Sequence, residues 1–158
     1  LLGDTIQEIA KEKAGIIKKN TPVIIGRKQK DCSDIFINKA EELNSEIIFC
    51  DTTTQYKTDL EGEYQKENVS TAIQTIKVLN RKLFSVSNEN IINGLLNVVK
   101  NTGLFGRWQI LNNVPLVICD TAHNVDGIKQ VVNQLNNLNY QKLHFVLGTV
   151  NDKDIEQI

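Results

Sequence analysis

The sequence of 158 residues contains no methionine, a single tryptophan, two prolines and three cysteines. Its apolar runs fall short of the roughly 20 residues of a membrane-spanning helix, and the first residues lack the basic and apolar segments of a signal peptide. The cysteines are odd in number, widely spaced and set beside apolar residues, which favours reduced thiols over a disulfide frame or a zinc cluster. We therefore expect a cytoplasmic protein with no membrane partner.

A strong charge of one sign is also absent, since the formal net charge is -1 and the isoelectric point lies near 6.2. A chain so balanced has no long-range field to capture nucleic acid, so an anionic ligand must be held by local groups. The sequence also lacks a phosphate-cradling GxxxxGK(S/T) loop and any cysteine and histidine set with metal-binding spacing. We expect a small-molecule pocket and no nucleic-acid partner.

The first half alternates between helical and strand patterns. A capping box formed by Thr5 and Glu8 opens a helix predicted over residues 6–18. Short apolar runs bounded by turn residues predict strands at 23–26 and 46–50. A helix is expected between these strands, with one apolar face: Phe36, Ala40 and Leu43.

Two more helices are predicted before a glycine-bearing segment. Apolar residues at helical spacing predict a long helix over 69–79, with Gln65 and Asn68 in its first turn. A further helix is expected from an N-cap at Ser87 to about residue 100. The segment 101–106 carries two glycines without strand or helix period, and we interpret it as a linker. The predicted domains are therefore residues 1–100 and 107–158.

The pattern begins afresh after the linker. Leu116–Cys119 is a continuous apolar run, typical of a strand covered on both faces, and the polar loop 120–124 follows it. A helix around 128–138 and a strand at 143–147 come next. Strands alternating with helices predict an α/β fold with a parallel sheet, in which ligands gather at the loops after strands. The loops 120–124 and 148–154 occupy such positions.

Lys13 is unusual because the helical spacing places it on the apolar stripe with Ile9, Ala10 and Ile17. Burial disfavours the charged ammonium, so Lys13 would supply a free amine for nucleophilic attack or for reaction with carbon dioxide. The alternative is a lysine whose stem packs at the core edge while its head reaches water. Spacing alone leaves both interpretations open.

Polar residues around the predicted loop 120–124 suggest a nucleotide site. Helix N-terminal amides together with His123 would seat phosphate or ribose oxygens, although Asp120 and Asn124 are equally typical of turn and cap formers. Arg107 offers a fork of donors for a phosphate between two domains, or is simply solvated or paired. Gln65 and Asn68 have the groups to read an adenine edge, or serve as first-turn caps.

One long motif resembles a known family. Residues 2–16, with Lys18 and Pro22–Val23, match the folylpolyglutamate synthase signature LGxTxxxIAxEKAGIxKxxxPV. Shorter family motifs follow in order: LxGxxQxxN at Leu60, Gly62, Gln65 and Asn68; GR at Gly106 and Arg107; DGAHN at Asp120–Asn124; and GxxxDKD at Gly148 with Asp152–Asp154.

Details of the DGAHN motif separate this chain from its relatives. The peptidoglycan ligases, which resemble the same family, carry AHT where this chain has Ala122–Asn124, so the folate branch is favoured. Thr121 stands in place of the usual glycine and Val125 in place of the usual proline. Both departures leave the detailed contacts of this loop open.

The resemblance implies parts of two doubly wound domains, a Mur-ligase-like central ATP-binding domain and a Rossmann-like C-terminal glutamate-ligase domain. It implies an ATP- and Mg²⁺-dependent ligase that joins L-glutamate to dihydropteroate or a folyl-(poly)glutamate through an acyl phosphate. By the same resemblance Lys13 is carbamylated and holds the magnesium ion, Asn68 meets adenine and Asp120 the ribose. Arg107 and His123 then contact the phosphates, and Lys13 and His123 are the catalytic pair. A monomer is expected.

The resemblance also implies that the phosphate loop and the other magnesium ligands precede residue 1 and that more of the C-terminal domain follows residue 158. We therefore expect an isolated polypeptide of these residues to have no ligase activity. Two alternatives stay open at this point, a Mur-type peptide ligase and a noncatalytic nucleotide-binding module.

Overall fold

The computed structural model describes residues 3, 5–51, 54–81 and 84–148. The chain forms two compact units, of which the first comprises 1–56 with 66–93 and the second 57–65 with 94–158. The predicted domain boundaries stay predictions. The helices of the described residues are α1 (Ile6–Ala14), α2 (Ser33–Glu42), α3 (Gln65–Asn80), α4 (Asn88–Leu95), α5 (Val98–Thr102) and α6 (Val125–Asn136), and the strands are β1 (Val23–Ile25), β2 (Ile47–Phe49), β3 (Gln109–Asn113) and β4 (Leu116–Cys119).

The first unit contains the predicted strand, helix, strand arrangement. Strands β1 and β2 are parallel, with Val23 opposite Ile47 and Ile25 opposite Phe49, and α2 connects them. Ala40 on α2 is completely buried, which is how a helix closes the face of such a pair. The prediction for this segment is confirmed.

Helix α1 begins as predicted and ends earlier than predicted. Thr5 and Glu8 form the reciprocal capping box, with each side chain accepting a hydrogen bond from the other residue's backbone amide. The predicted end at Lys18 is wrong, because Gly15 closes the helix and the next two amides bond carbonyls three residues back. Glycine has a low helix propensity, which favours a tight turn at this position.

Helix α3 is the long helix that its apolar period predicts. Its buried positions are Gln65, Val69, Ile73 and Val78. In the first unit, the guanidinium of Arg27 after β1 forms a two-pronged ion pair with Glu67, at 2.7 Å and 2.8 Å. This pair ties the end of the strand to the first turns of the helix.

The predicted helix after Ser87 is interrupted. The Ser87 hydroxyl accepts from the Asn90 amide as an N-cap should, but α4 ends at Leu95 and α5 starts at Val98. Asp59 fills the break, since its amide donates to the Leu95 carbonyl and its carboxylate accepts from the amides of Val98 and Val99. A side chain from a distant segment therefore supplies the cap that divides one predicted helix into two.

The second unit differs from its predicted parallel arrangement. Strand β4 pairs antiparallel with β3 in a hairpin, and Leu116 and Val117 are 50% and 41% exposed, so the expected burial on both faces is wrong. Residues 143–147 are not a strand, and this run is exposed. A strand needs a neighbour for its backbone groups, and the described residues provide none beside 143–147.

Helix α6 follows the loop after β4 and is confirmed, with Ile128 and Val131 buried. The α/β class is also confirmed. The thiols of Cys32, Cys50 and Cys119 are free. Within the described residues, none of the helices combines the length and the apolar composition required to span a membrane.

Candidate functional site

The carboxylate of Asp120, directly after β4, is the centre of a hydrogen-bond cluster in the second unit. Its Oδ2 accepts from the hydroxyl of Tyr64 and from the amide of Trp108, each at 2.7 Å. Its Oδ1 accepts from the amide of Ala122 at 2.8 Å. An ionised carboxylate offers about four lone-pair positions. Three donors thus orient Asp120 and leave one acceptor position for a ligand hydroxyl.

The backbone beside Asp120 adopts an uncommon conformation. Gly106 and Trp108 have φ angles of 70° and 51°, so left-handed residues stand on both sides of Arg107. This region is costly for an aromatic residue and persists where its surroundings compensate. Here the Trp108 ring is buried and its amide donates to Asp120. The strained turn therefore presents Arg107 next to the Asp120 loop.

Thr121 links Arg107 to this turn. The Arg107 guanidinium donates through its Nη1 to the Thr121 hydroxyl oxygen. The hydroxyl and the amide of Thr121 both bond the carbonyl oxygen of Gly106, at 3.0 Å and 2.9 Å. At the position where the resembling motif has glycine, the Thr121 side chain therefore makes hydrogen bonds that a glycine lacks.

Tyr64 approaches Asp120 from the segment that precedes α3. Gly62 leaves room for its ring, because a Cβ at Gly62 would lie 2.7 Å from the Cε1 of Tyr64. Burial first, and then the hydrogen bond and the charge of Asp120, raise the pKa of the Tyr64 phenol well above its ordinary value, while Arg107 opposes that shift. Tyr64 is consequently a neutral hydrogen-bond donor at physiological pH.

The segment that carries Tyr64 is held by hydrogen bonds at two places before Tyr64. Near its start, Asp59 occupies the break between α4 and α5. In its middle, the side-chain amide of Gln134 on α6 donates to the Glu61 carbonyl at 3.0 Å and accepts from the Glu63 amide at 2.8 Å. These contacts hold residues 59–64 in place within the second unit, so the Tyr64 hydroxyl has a defined position.

His123 and Asn124 complete the loop. The Nδ1 of His123 lies 3.0 Å from the Thr121 carbonyl oxygen, which only accepts, so this nitrogen carries a proton and Nε2 is available to a ligand. The Asn124 side chain accepts from the Gly127 amide at 2.8 Å as the N-cap of α6. Of the two roles open for Asn124, the capping role is the one observed.

Two other predicted site residues belong to the first unit. Asn68 is exposed in the first turn of α3. Lys13 is exposed near the end of α1, so the helical spacing that it shares with buried residues does not bury it. The buried positions of this helix and its following turn are Ala10, Ala14 and Ile17, because small alanines one turn apart allow close packing on α2. The alternative with the lysine head in water is the one observed.

The predicted ligands do not by themselves make a metal centre. No group of three or more histidine, cysteine, aspartate or glutamate side chains with metal-binding geometry occurs among residues 3, 5–51, 54–81 and 84–148. The Asp152–Asp154 motif lies outside the described residues. The described part of the chain therefore offers Asp120, Arg107 and His123 for organic and anionic groups, and no complete cation site.

Sequence reasoning missed Tyr64 altogether and noted Thr121 only as a departure. Tyr64 lies 56 positions from Asp120, and no periodicity or motif relates such distant residues. For Thr121, the signal was the replacement of a glycine by a side chain with a donor and an acceptor. The hydrogen bond between Thr121 and Arg107 became evident only from the structure.

Comparison with known proteins identifies the class of this site. The family model described as the Mur ligase, glutamate ligase domain matches residues 106–158. The match begins at the strained turn before Arg107 and takes in the hairpin, the Asp120 loop and α6. Residues 106–158 thus resemble a glutamate-ligase domain of the Mur ligase type.

Relatives extend the match to the whole chain. The folylpolyglutamate synthase of Lacticaseibacillus casei is 30% identical across 98% of this chain and 41% of its own length. The dihydrofolate synthase/folylpolyglutamate synthase of Bacillus subtilis is 27% identical across 83% of this chain and 35% of its own. A solved folylpolyglutamate synthase complex with AMPPCP and folate superposes with a TM-score of 0.77 at 29% identity, covering 89% of this chain and 40% of that one.

Over most of its length the chain is similar to folylpolyglutamate synthases and dihydrofolate synthases. The resemblance inferred from the sequence motifs is therefore confirmed. The chain spans less than half the length of these relatives.

Proposed function

We propose that the protein containing these residues is an ATP-dependent ligase that adds L-glutamate to dihydropteroate, to folyl-(poly)glutamate, or to both. The observation that carries this proposal is the joining of Arg107 and Asp120 at one strained turn, at the start of a glutamate-ligase domain. The turn offers a cation for phosphate and an oriented carboxylate for a ribose hydroxyl. A nucleotide presents both partners, a phosphate and a ribose hydroxyl.

The proposed reaction has two steps. The γ-phosphoryl group of ATP passes to a carboxylate of the pteroate or folate, giving ADP and an acyl phosphate. The amine of glutamate then attacks the acyl carbon, the new C–N bond forms, the C–O bond to phosphate breaks, and the amine loses a proton. Transfer of this kind depends on positioning and on stabilisation of the phosphoryl charge.

Each residue in the site has a proposed role. Arg107 and the Nε2 of His123 contact the phosphates, and Asp120 uses its remaining acceptor position for a ribose hydroxyl. Asn68 at the start of α3 reads adenine. His123 also serves as a catalytic residue, because a hydrogen bond from its ring to the transferred phosphoryl group stabilises the charge on that group.

Lys13 has a separate proposed role as a carbamylated residue. Its exposure leaves the side chain accessible to dissolved carbon dioxide. The ammonium loses one proton to water, the amine nitrogen forms a bond to the carbon of carbon dioxide, and the nitrogen releases a second proton, so that a cation becomes a carboxylate-like metal ligand. A divalent cation, proposed to be Mg²⁺, would neutralise phosphate charge when bound. The described residues provide no complete set of ligands for it, so Lys13 contributes at most one position here.

The proposal is tested on the complete gene product that contains these residues. ADP release should require both L-glutamate and a pteroate or folate, and mass spectrometry should detect a product lengthened by one glutamyl residue. A substrate panel that includes nucleotide-linked cell-wall peptides separates a folate ligase from a Mur-type peptide ligase. Nucleotide binding without turnover on any acid would identify the noncatalytic module instead.

The remaining parts of the proposal concern the setting of the enzyme. We propose a cytoplasmic monomer that acts on small molecules. An isolated polypeptide of the 158 residues is expected to release no phosphate in the presence of ATP, glutamate and folate. Release that depends on both substrates would contradict this expectation.

A further inference from the structure

We infer that Thr121 is a positioning residue that holds the Arg107 guanidinium ready for the phosphates of the nucleotide. This inference rests on the proposed function, and it goes further by assigning the phosphate-specific part of binding to a side chain that the family motif does not contain. Thr121 occupies the second position of the motif, where the family usually has glycine.

The direction of each hydrogen bond at Thr121 follows from its partners. A guanidinium only donates and a carbonyl only accepts. The Thr121 hydroxyl therefore receives the Arg107 bond on its oxygen and directs its own proton to the Gly106 carbonyl. Arg107 is thus fastened through Thr121 to the backbone immediately before it, which closes a small ring of contacts.

The backbone of the turn is shaped to the Thr121 side chain. Gly106 has a φ of 70°, and a Cβ at this residue would clash with the Cγ2 of Thr121. The threonine methyl therefore occupies the space above Gly106 while its hydroxyl reaches Arg107. Glycine at position 121 would provide neither contact, and serine would provide the hydroxyl alone.

The consequence for binding is a cation ordered before the ligand arrives. Arginine is a long side chain that loses rotamer freedom when it binds a phosphate, and a side chain already held loses less. One of its donors is used by Thr121. The other donors of the fork stay available for phosphate oxygens, so the tether does not compete with the ligand.

The test compares three ligands on the complete gene product: adenosine, ADP and ATP. Thr121→Val keeps the shape of the side chain and removes the hydroxyl, whereas Thr121→Ser keeps the hydroxyl. Loss of one hydrogen bond to a charged group should weaken ADP and ATP binding by about three- to tenfold in Thr121→Val. Adenosine affinity should not change, and Thr121→Ser should bind all three ligands as the wild type does.

Two comparison variants define the origin of the effect. In an Arg107→Ala background, Thr121→Val should have no additional effect on ATP affinity, because its partner is already absent. Thr102→Val removes a hydroxyl from the same unit that bonds the Val98 carbonyl at 2.7 Å and not Arg107. It should leave the affinities for all three ligands unchanged.

Isothermal titration calorimetry of the complete gene product measures the affinities. A wild type without ATP affinity would overturn the proposed function and the inference together. A wild type that binds ATP while Thr121→Val binds it equally well would overturn the inference alone. Equal weakening of adenosine and ATP would also overturn it, since that result indicates a purely structural residue.

Discussion

The phenolic oxygen of Tyr64 lies 2.7 Å from the Oδ2 of Asp120, although the two residues are 56 positions apart in the sequence. The same carboxylate oxygen accepts the Trp108 amide at 2.7 Å. Asp120 is therefore held by a distant side chain as well as by its own loop. This arrangement makes Tyr64 the residue whose removal tests the organisation of the site most directly.

Tyr64→Phe removes one donor from Asp120 and leaves the ring in place. We expect the free energy of unfolding to fall by about 1 kcal/mol, since a single net hydrogen bond is lost at a partly buried site. Asp120 should also become less well oriented, so adenosine and ATP should weaken together by a few-fold. Urea unfolding and calorimetric titration measure the two effects.

Tyr140→Phe is the matched control for this prediction. Tyr140 is half exposed and lies in the second unit after α6. The same loss of a hydroxyl there should alter neither the unfolding free energy nor the nucleotide affinity. An equal effect of both substitutions would contradict the role of the Tyr64 contact.

A pH titration should detect Tyr64 through its raised pKa. In the unfolded chain its phenol ionises near the ordinary value of about 10, whereas burial and Asp120 hold the proton in the folded state. The contribution to stability is thus fully present below pH of about 10 and is lost as the pH rises from there through the folded pKa. Stability of the wild type should decline above this pH more steeply than that of Tyr64→Phe.

Phenolate absorbance offers an independent measurement of the same group. The chain has three tyrosines. The wild-type titration of the folded protein should extend to higher pH than the titration of Tyr64→Phe. If the two curves end at the same pH, the phenol of Tyr64 is not protected by Asp120.

Asn124→Ala should destabilise α6 by removing its N-cap. The expected loss is about 1 kcal/mol in unfolding free energy, the usual value for such a substitution. Asn124→Asp retains an acceptor for the Gly127 amide and adds a negative charge at the helix N-terminus, so it should preserve the stability. Comparable losses in both variants, measured by chemical denaturation, would count against the capping role.

Lys13→Ala should abolish ligase activity and leave the stability of the fold nearly unchanged. Because Lys13 is exposed, its replacement is expected to change the unfolding free energy by no more than about 0.5 kcal/mol. A carbamylated lysine, by contrast, is essential to the proposed reaction, so the variant of the complete enzyme should lose ligase activity. Retained activity would remove Lys13 from the proposed site.

Lys11→Ala is a suitable control on the same helix, since Lys11 is also exposed and has no proposed role. It should keep both stability and activity. Intact mass and the dependence of the wild-type activity on bicarbonate then report carbamylation itself. Activity that is indifferent to bicarbonate, together with an unmodified mass, would contradict this modification.

The elements that sequence reasoning located well depend on neighbours in the chain. The capping box of Thr5 and Glu8, the cap at Asn124 and the long period of α3 are set by residues three or four positions apart. The strands β1 and β2 were also recognised, because short apolar runs between turn residues are typical of buried strands. These features follow from local physical chemistry.

The features that the sequence predicted wrongly or did not predict depend on contacts between segments that are distant in the chain. Asp59 divides one predicted helix into α4 and α5, and no pattern within residues 88–102 reveals a carboxylate from outside. Lys13 shares the helical spacing of the buried residues of α1. The buried face of this helix is nevertheless narrow and consists of Ala10 and Ala14. The run 143–147 has strand composition, but composition cannot supply the neighbouring strand that backbone pairing requires.

The amino-acid sequence by itself determined the resemblance to folylpolyglutamate synthases, the α/β class and the candidates Arg107, Asp120 and His123, because motifs and periodicity are properties of order along the chain. Only the tertiary structure decided that Asp120 is held by Tyr64, that Arg107 is tethered by Thr121 and that Lys13 faces water. Hydrogen bonds and burial depend on distances in space, and those distances are set when segments far apart in the chain pack together.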